Sequence, residues 1–329
     1  MEHSRTLVTG ATGFIGRCLV DRLLADDKPV RVLTRGDKAL PKSWAAEVEC
    51  HTGDLRQVAS LSGVADGIDT VYHLAGEFRD ARLLDAVNRS GTESLLEICG
   101  VAGVRRFVYL SSVGVIGAGS SEGRVDEGTL ARPSNAYEVS KYAGEQAALR
   151  AHQSDGMQVS VVRPSIVFGE GKPPSSDSFL SWMRAVQAGR AVSLGESYVS
   201  SYVYVGDVVA ACLTVAGHPV AGGQIYIVNE PVHLSAFVGE MARLLGVRGP
   251  FLLPRPLGPL LAMLLRLSGR FGSLYNHTVY SMDKLSGLGF TPPYGYRNGL
   301  RRTIEWYEDN GLLRTPSGRA PTIREHDRC

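Results

Sequence analysis

An α/β fold, a parallel sheet covered by helices on both faces and joined to a smaller mixed α/β domain, is predicted by three observations. Short apolar, β-branched runs alternate with amphipathic stretches from residue 5 to about residue 168. The runs are too apolar for a sheet with one wet face, so both faces must be covered. That rhythm then breaks in "GEGKPPSSDS" (169–178), a Gly/Pro/Ser-rich stretch of loop character. A chain of 329 residues is long enough for a substantial core and for one large or two modest domains.

The strands are expected at "RTLVTG", "VRVLTR", "VECHTGD", "DTVYHLAG", "RRFVYLSS" and "VSVVRPSIVFG", each bounded by turn residues. Between them, "IGRCLVDRLLAD" and "VNRSGTESLLEICGVAG" carry helical spacing. Beyond the break, "FLSWMRAVQAGR" reads as a helix, and short strands fall around "AVSLG" and "SYVYV". "GDVVAACLTVAG" is a helix, "GQIYIVN" a strand and "LSAFVGEMARLLG" another helix. The expected division is a first domain over 1–169 and a second over 170–312, with segments near 202–229 returning to the first. The remainder, 313–329, lacks an apolar period and reads as a loose tail.

Composition narrows the function classes. Hydrophobic residues at 44% and charged ones at 21% describe an ordinary globular protein. A net charge of +2 gives no broad attraction to nucleic acid, so any anion site must be local. The five cysteines form no CxxC and no Cys/His ligand spacing, so reduced thiols and no metal site are expected. "MEHSRTLVTG" runs straight into a strand, and no apolar stretch approaches the roughly 20 residues of a membrane span. The expected location is the cytoplasm.

"LVTGATGFIGRCLV" ends the first strand and opens the first helix, with Gly10, Gly13 and Gly16 at GxxGxxG spacing. Gly10 permits a tight turn, Gly13 a close approach of backbone to a diphosphate, and Gly16 close packing of helix on strand. The helix start then offers free N–H groups and the positive end of its dipole to the phosphates. Within a βαβ unit this pattern marks a dinucleotide site of Rossmann type. NAD sites usually carry an acidic residue at the end of the second strand. Here that strand ends with Thr34 and Arg35. A guanidinium suits a 2′-phosphate, so NADP is favoured, with NAD still open. Asp54 and Leu55, closing the third strand, either border an adenine or serve as a cap and a core leucine. "HLAG", ending the fourth strand, lets backbone pass close to the dinucleotide through Leu74, Ala75 and Gly76, while His73 reads as a packed histidine.

One strand later come Ser111 and Ser112, at the sheet edge where open α/β sheets place their ligands. About 25 residues on, "SNAYEVSKYAGEQ" sets Tyr137 and Lys141 one helical turn apart on one face. A phenol ordinarily ionises near pH 10, too high for proton transfer at neutrality. A neighbouring ammonium and a cationic nicotinamide are expected to lower it.

The set "TGATGFIG", "HLAG", "LSS", "YEVSK" and "RPSIVFG" resembles the extended short-chain dehydrogenase/reductases, the epimerase/dehydratase branch, over residues 5 to about 310. The resemblance implies a Rossmann domain, a bound nicotinamide cofactor and a Ser–Tyr–Lys site acting on a small molecule. Carried onto this chain, Tyr137 is the proton donor or acceptor, Lys141 binds the nicotinamide ribose and tunes the phenol, and Ser112 orients the substrate oxygen. Thr12, Phe14 and Ile15 join the glycines in holding the cofactor. Pro164, Ser165 and Ile166 match a stretch that lines the nicotinamide in relatives. A homodimer through the helix carrying Tyr137 and the one containing Asn88 is implied as well.

Within that family, dehydratases carry Thr-Asp-Glu after the serine-bearing strand. Val113, Gly114 and Val115 stand in that region here, so elimination is disfavoured. Two arginines that clamp a nucleotide-sugar diphosphate in relatives fall at Ser200 and about Ser286. A serine cannot replace a bidentate charge, although Arg184, Arg190, Arg255 or Arg297 remain as substitutes. "PFLLPRPLGPLLAMLLRL" (250–267) reads as a core helix of the second domain, or as an apolar lid for a sterol-like substrate. The expected activity is hydride transfer between NADP and a secondary alcohol or ketone. The alternatives are a nucleotide-sugar epimerase with tightly held cofactor and a non-catalytic NAD(P)-binding scaffold.

Overall fold

The computed structural model describes residues 5–117, 124–154, 156–190, 192–193, 199–249, 251–252 and 278–314. The strands are β1 (Thr6–Thr9), β2 (Val30–Thr34), β3 (Val48–Thr52), β4 (Thr70–His73), β5 (Arg106–Leu110) and β6 (Gln158–Pro164), followed by β7 (Ile166–Phe168), β8 (Val199–Tyr204), β9 (Gln224–Val228) and β10 (Glu230–His233). The helices are α1 (Phe14–Ala25), α2 (Gly91–Val101), α3 (Ala136–Ser154), α4 (Ser178–Gln187), α5 (Val205–Gly217), α6 (Leu234–Leu244) and α7 (Gly295–Asp309). Seven strands form one parallel sheet in the order β9-β6-β5-β4-β1-β2-β3. The chain winds one way from β1 to β3 and the other way from β4 onward. A crevice therefore opens outside the carboxyl ends of β1 and β4, the usual ligand position of such sheets.

The period of two along each strand explains the two covered faces. Leu7, Val71, Phe107 and Val161 point into a core closed by Leu95, Leu96 and Cys99 of α2 and Ala147, Ala148 and Ala151 of α3. Their neighbours Val8, Tyr72, Val108 and Val162 point the other way, against Leu19 and Leu23 of α1 and Val208 and Cys212 of α5. Helix α1 ends as its sequence dictates. Asp27 adopts φ 52°, a left-handed turn that aspartate tolerates, and Pro29 blocks continuation.

The run "VSVVRPSIVFG" behaves as two strands, not one. Pro164 has no N–H for a further ladder bond, and Ser165 donates its own N–H to Val228 O at 3.1 Å. The chain then leaves the main sheet, and β7 pairs in parallel with β8, which pairs antiparallel with β10. Around this second sheet, Tyr202 stacks on Phe237 at 4.4 Å between centroids, and Phe168 on Phe179 at 5.0 Å. These aromatics belong to the same continuous core as α1 and α5, so the smaller layer is fixed to the sheet. Of the apolar segment 250–267, Phe251–Leu252 pair with Val192–Ser193, and residues 253–267 lie outside the described residues. Leu313 is buried and Arg314 donates its N–H to Gln187 Oε1 at 3.1 Å; residues 315–329 lie outside the described residues.

Candidate active site

The glycine turn follows β1 directly. Gly10 has φ +70°, and a Cβ there would stand 2.6 Å from Ala75 N. A Cβ on Gly16 would stand 2.1 Å from Gly10 O, so α1 can lie against the turn only with glycine at that position. Gly13 is the N-cap of α1 and brings no side-chain acceptor, and the first turn contains no acidic residue. The first N–H groups of the helix are left without side-chain partners beside a cradle closed to any Cβ, which fits a diphosphate. Thr12, Phe14 and Ile15 are half-buried around it.

The adjoining end of β4 is locked from below. His73 is wholly buried, with Nδ1 2.7 Å from Thr9 Oγ1 and Nε2 2.9 Å from Thr92 Oγ1. Thr92 donates its own proton to Asn88 O at 2.8 Å, so it accepts from Nε2–H, and Nδ1 accepts from Thr9. Burial, with the Lys141 charge second, holds His73 neutral by pulling its pKa down to about 3. Thr9 Oγ1 then accepts from Ala75 N at 3.2 Å, which fixes Leu74, Ala75 and Gly76 against the glycine turn. His73 is thus the packed residue its sequence context suggested.

At the end of β5, Ser112 caps the short turn Val113–Ile116, its Oγ accepting from Gly114 N at 3.1 Å. Ser111 is buried, and its Oγ has no hydrogen-bond partner among the described residues. Helix α3 starts where Asn135 Oδ1 accepts from Glu138 N at 3.0 Å and Glu138 reaches back to Ser134 N at 2.7 Å, a reciprocal cap. Its second and sixth residues are Tyr137 and Lys141. Lys141 is 3% exposed, donates to Leu110 O at 2.7 Å and lies over the Tyr109 ring at 4.2 Å. Burial lowers its pKa to about 7, against the opposing charge of Glu145. A Cβ on Gly76 would lie 3.8 Å from Lys141 Nζ, so the β4 strip and this ammonium share one crevice.

The phenol of Tyr137 does not follow the expected direction. Burial raises its pKa, and the neighbouring Glu138 charge raises it further. Lys141 directs one N–H donor to Leu110 O and lies over the Tyr109 ring. In the polypeptide alone Tyr137 is therefore a protonated acid at neutral pH.

The outer part of the crevice holds the remaining predicted residues. Arg35 is exposed at the end of β2 and pairs with Asp37 at 2.6 Å. Asp54 is held ionised by the Arg56 guanidinium at 2.5 Å, which lowers its pKa. Leu55 is buried, and a Cβ on Gly91 would meet its Cβ at 2.8 Å, so it acts as packing beneath the π-turn at the head of α2. Pro164, Ser165 and Ile166 sit where the chain passes from β6 to β7, with Ser165 Oγ buried and without a hydrogen-bond partner among the described residues. All of these groups lie at the carboxyl ends of parallel strands.

Sequence reasoning missed the supports. Asn88 accepts from Glu77 N at 2.7 Å and donates to Glu77 O at 2.8 Å and to Ser140 Oγ at 2.9 Å, tying the β4 loop to α3. Glu145, one turn beyond Lys141, pairs bidentately with Arg163 of β6, and both are buried. Only non-local contact defines these roles, although a carboxylate inside the apolar stripe of α3 was a readable signal.

Residues 6–229 match the model of the NAD-dependent epimerase/dehydratase family. The chain belongs to this family. This extended short-chain dehydrogenase/reductase is 31% identical to a 3β-hydroxysteroid dehydrogenase/Δ5→4-isomerase of Mycobacterium tuberculosis, covering 93% of this chain and 91% of that one. It is 29% identical to a UDP-glucose 4-epimerase of Mycolicibacterium smegmatis, over 93% of this chain and 99% of the relative. Among solved structures, the UDP-glucose 4-epimerase of Thermus thermophilus in complex with NAD is similar at TM-score 0.70 and 26% identity, covering 92% of this chain and 99% of that one. A steroid dehydrogenase/isomerase and an epimerase are thus both similar in sequence, and an epimerase that binds NAD is similar in fold.

Proposed function

We propose that this family member is an NADP-preferring oxidoreductase that transfers hydride between nicotinamide and a secondary alcohol or ketone, with Tyr137 as the proton donor in reduction. The observation that carries this reading is the pair of Tyr137 and Lys141 on one face of α3, next to Ser112 and the Gly76 strip. The glycine cradle would hold the diphosphate, and a bound nicotinamide would supply the hydride. Lys141 would donate to the nicotinamide ribose. Ser112 orients the substrate oxygen, and Tyr137 delivers its proton to that oxygen as negative charge develops there. Burial keeps the phenol protonated until that moment. Pro164, Ser165 and Ile166 would line the ring and hold it near the reacting carbon, where orientation supplies much of the acceleration.

NADP preference rests on Arg35, whose guanidinium can exchange Asp37 for a 2′-phosphate. Net redox chemistry is favoured over epimerisation of a nucleotide sugar because Ser200, buried in β8, and Ser286 occupy the positions of the diphosphate-clamping arginines. A cytoplasmic homodimer is part of the same reading, with Val139 of α3 half exposed on the face such a contact would use. Gel filtration with measurement of nicotinamide in the eluted protein tests these points together. The expected result is a dimer that elutes free of nicotinamide and then binds NADPH more tightly than NADH. A stoichiometric nicotinamide that survives the column and dialysis would instead establish the epimerase.

A further inference from the structure

The loop leaving β7 carries a cation with nothing to hold. Gly169 and Gly171 adopt φ +151° and +86°, and this backbone course returns the chain toward the glycine turn. Lys172 follows, with its Nζ 5.4 Å from the centroid of the Phe14 ring, the first residue of α1. Among the described residues this ammonium makes no hydrogen bond and no ion pair. The carboxylate that favours its charge, Asp177, is engaged elsewhere: it caps α4 through Phe179 N and Leu180 N and accepts from Tyr307 Oη. Burial works against the charged form of Lys172 and lowers its pKa.

Two positive features thus meet at Phe14, an ammonium partly out of water over its ring and the N-terminal end of α1 at its backbone. Each disfavours the other unless an anion lies between them. A purely structural lysine at this place would have found an acceptor or turned to solvent. The Phe14 ring keeps it where it is, because a cation over an aromatic face is attracted while all of its N–H donors stay available.

We propose that Lys172 is a binding residue for the diphosphate of the dinucleotide, reaching it from the loop that leaves β7. This rests on the cofactor reading above and adds to it a contact from the second layer of the molecule. Residues 169–178 thereby join the substrate side of the fold to the cofactor, and a bound dinucleotide draws the loop and α1 together. Diphosphate is also the chemistry of a nucleotide sugar, so the test separates the two sources.

NADPH and NADH are titrated by nicotinamide fluorescence into wild type, Lys172→Met and Lys172→Arg. UDP is titrated by calorimetry, and the melting temperature of each protein is read without ligand. For Lys172→Met both dinucleotides should bind about tenfold to a hundredfold more weakly, the loss of one charge-assisted contact. Lys172→Arg should stay within a few fold of wild type, and Lys172→Met should melt no lower than wild type. Unchanged dinucleotide affinity in Lys172→Met overturns the proposal, as does a lowered melting temperature with affinity intact. A loss confined to UDP binding overturns it too, by giving the cation to a nucleotide-bearing substrate. If wild type itself bound neither dinucleotide, the cofactor reading would fail first, which is distinguishable from equal binding by wild type and variant.

Discussion

His73 shows how one buried side chain organises the crevice without touching the chemistry. It passes hydrogen bonds between Thr9 and Thr92, and through Thr9 it fixes Ala75 beside the glycine turn. Its neutrality has a thermodynamic signature. The folded imidazole titrates at about 3, against 6.5 for an ordinary histidine. Between those values the unfolded chain binds a proton that the folded one refuses, so stability falls as pH drops from about 6.5 toward about 3. Thermal melts at about pH 7 and about pH 4 should show that loss, and His73→Gln should lose less over the same interval. An equal acid slope in the variant would contradict the assignment. The glycine turn and the Tyr137–Lys141 pair were legible in sequence because local spacing encodes them. The direction of the Tyr137 pKa was not, since it depends on burial and on Glu138, and Lys141 had turned to Leu110 O.

Elements come next, and α3 is the one that matters most. One face carries Tyr137 and Lys141, and a turn further on Glu145 anchors the helix to β6 through Arg163. That anchor ends just before Pro164, so the helix bearing Tyr137 and the strand ending at Pro164 are tied together. Removing one partner leaves an uncompensated buried charge, which typically costs about 3–5 kcal/mol. Urea unfolding of Glu145→Ala should show a loss of that order, whereas Glu145→Leu combined with Arg163→Met should remain much closer to wild type. Equal losses in the two proteins would mean that the pair itself, not the orphaned charge, sets stability. The parallel sheet was readable from apolar runs alone. The division of "VSVVRPSIVFG" between two sheets was not, because strand pairing chosen by Tyr202 and Val228 decides it.

At the scale of the whole molecule, one winding pattern explains why distant residues meet. Parallel strands place every carboxyl end on one edge, and the reversal between β1 and β4 opens that edge. The Thr9–Gly16 turn, the Leu74–Gly76 strip, Ser112 and Tyr137 therefore converge, although more than a hundred positions separate the first from the last. The second layer shares the aromatic core and brings Lys172 to the same place. The proposed reaction requires Tyr137 to act as the acid in hydride transfer rather than as a packed phenol. Its most direct test is the rate of NADPH oxidation by wild type and Tyr137→Phe over a panel of sugar and steroid ketones, with dinucleotide affinity measured in both proteins. The variant should bind NADPH as wild type does and lose about a hundredfold to ten-thousandfold in turnover. Turnover equal to wild type in Tyr137→Phe would contradict it.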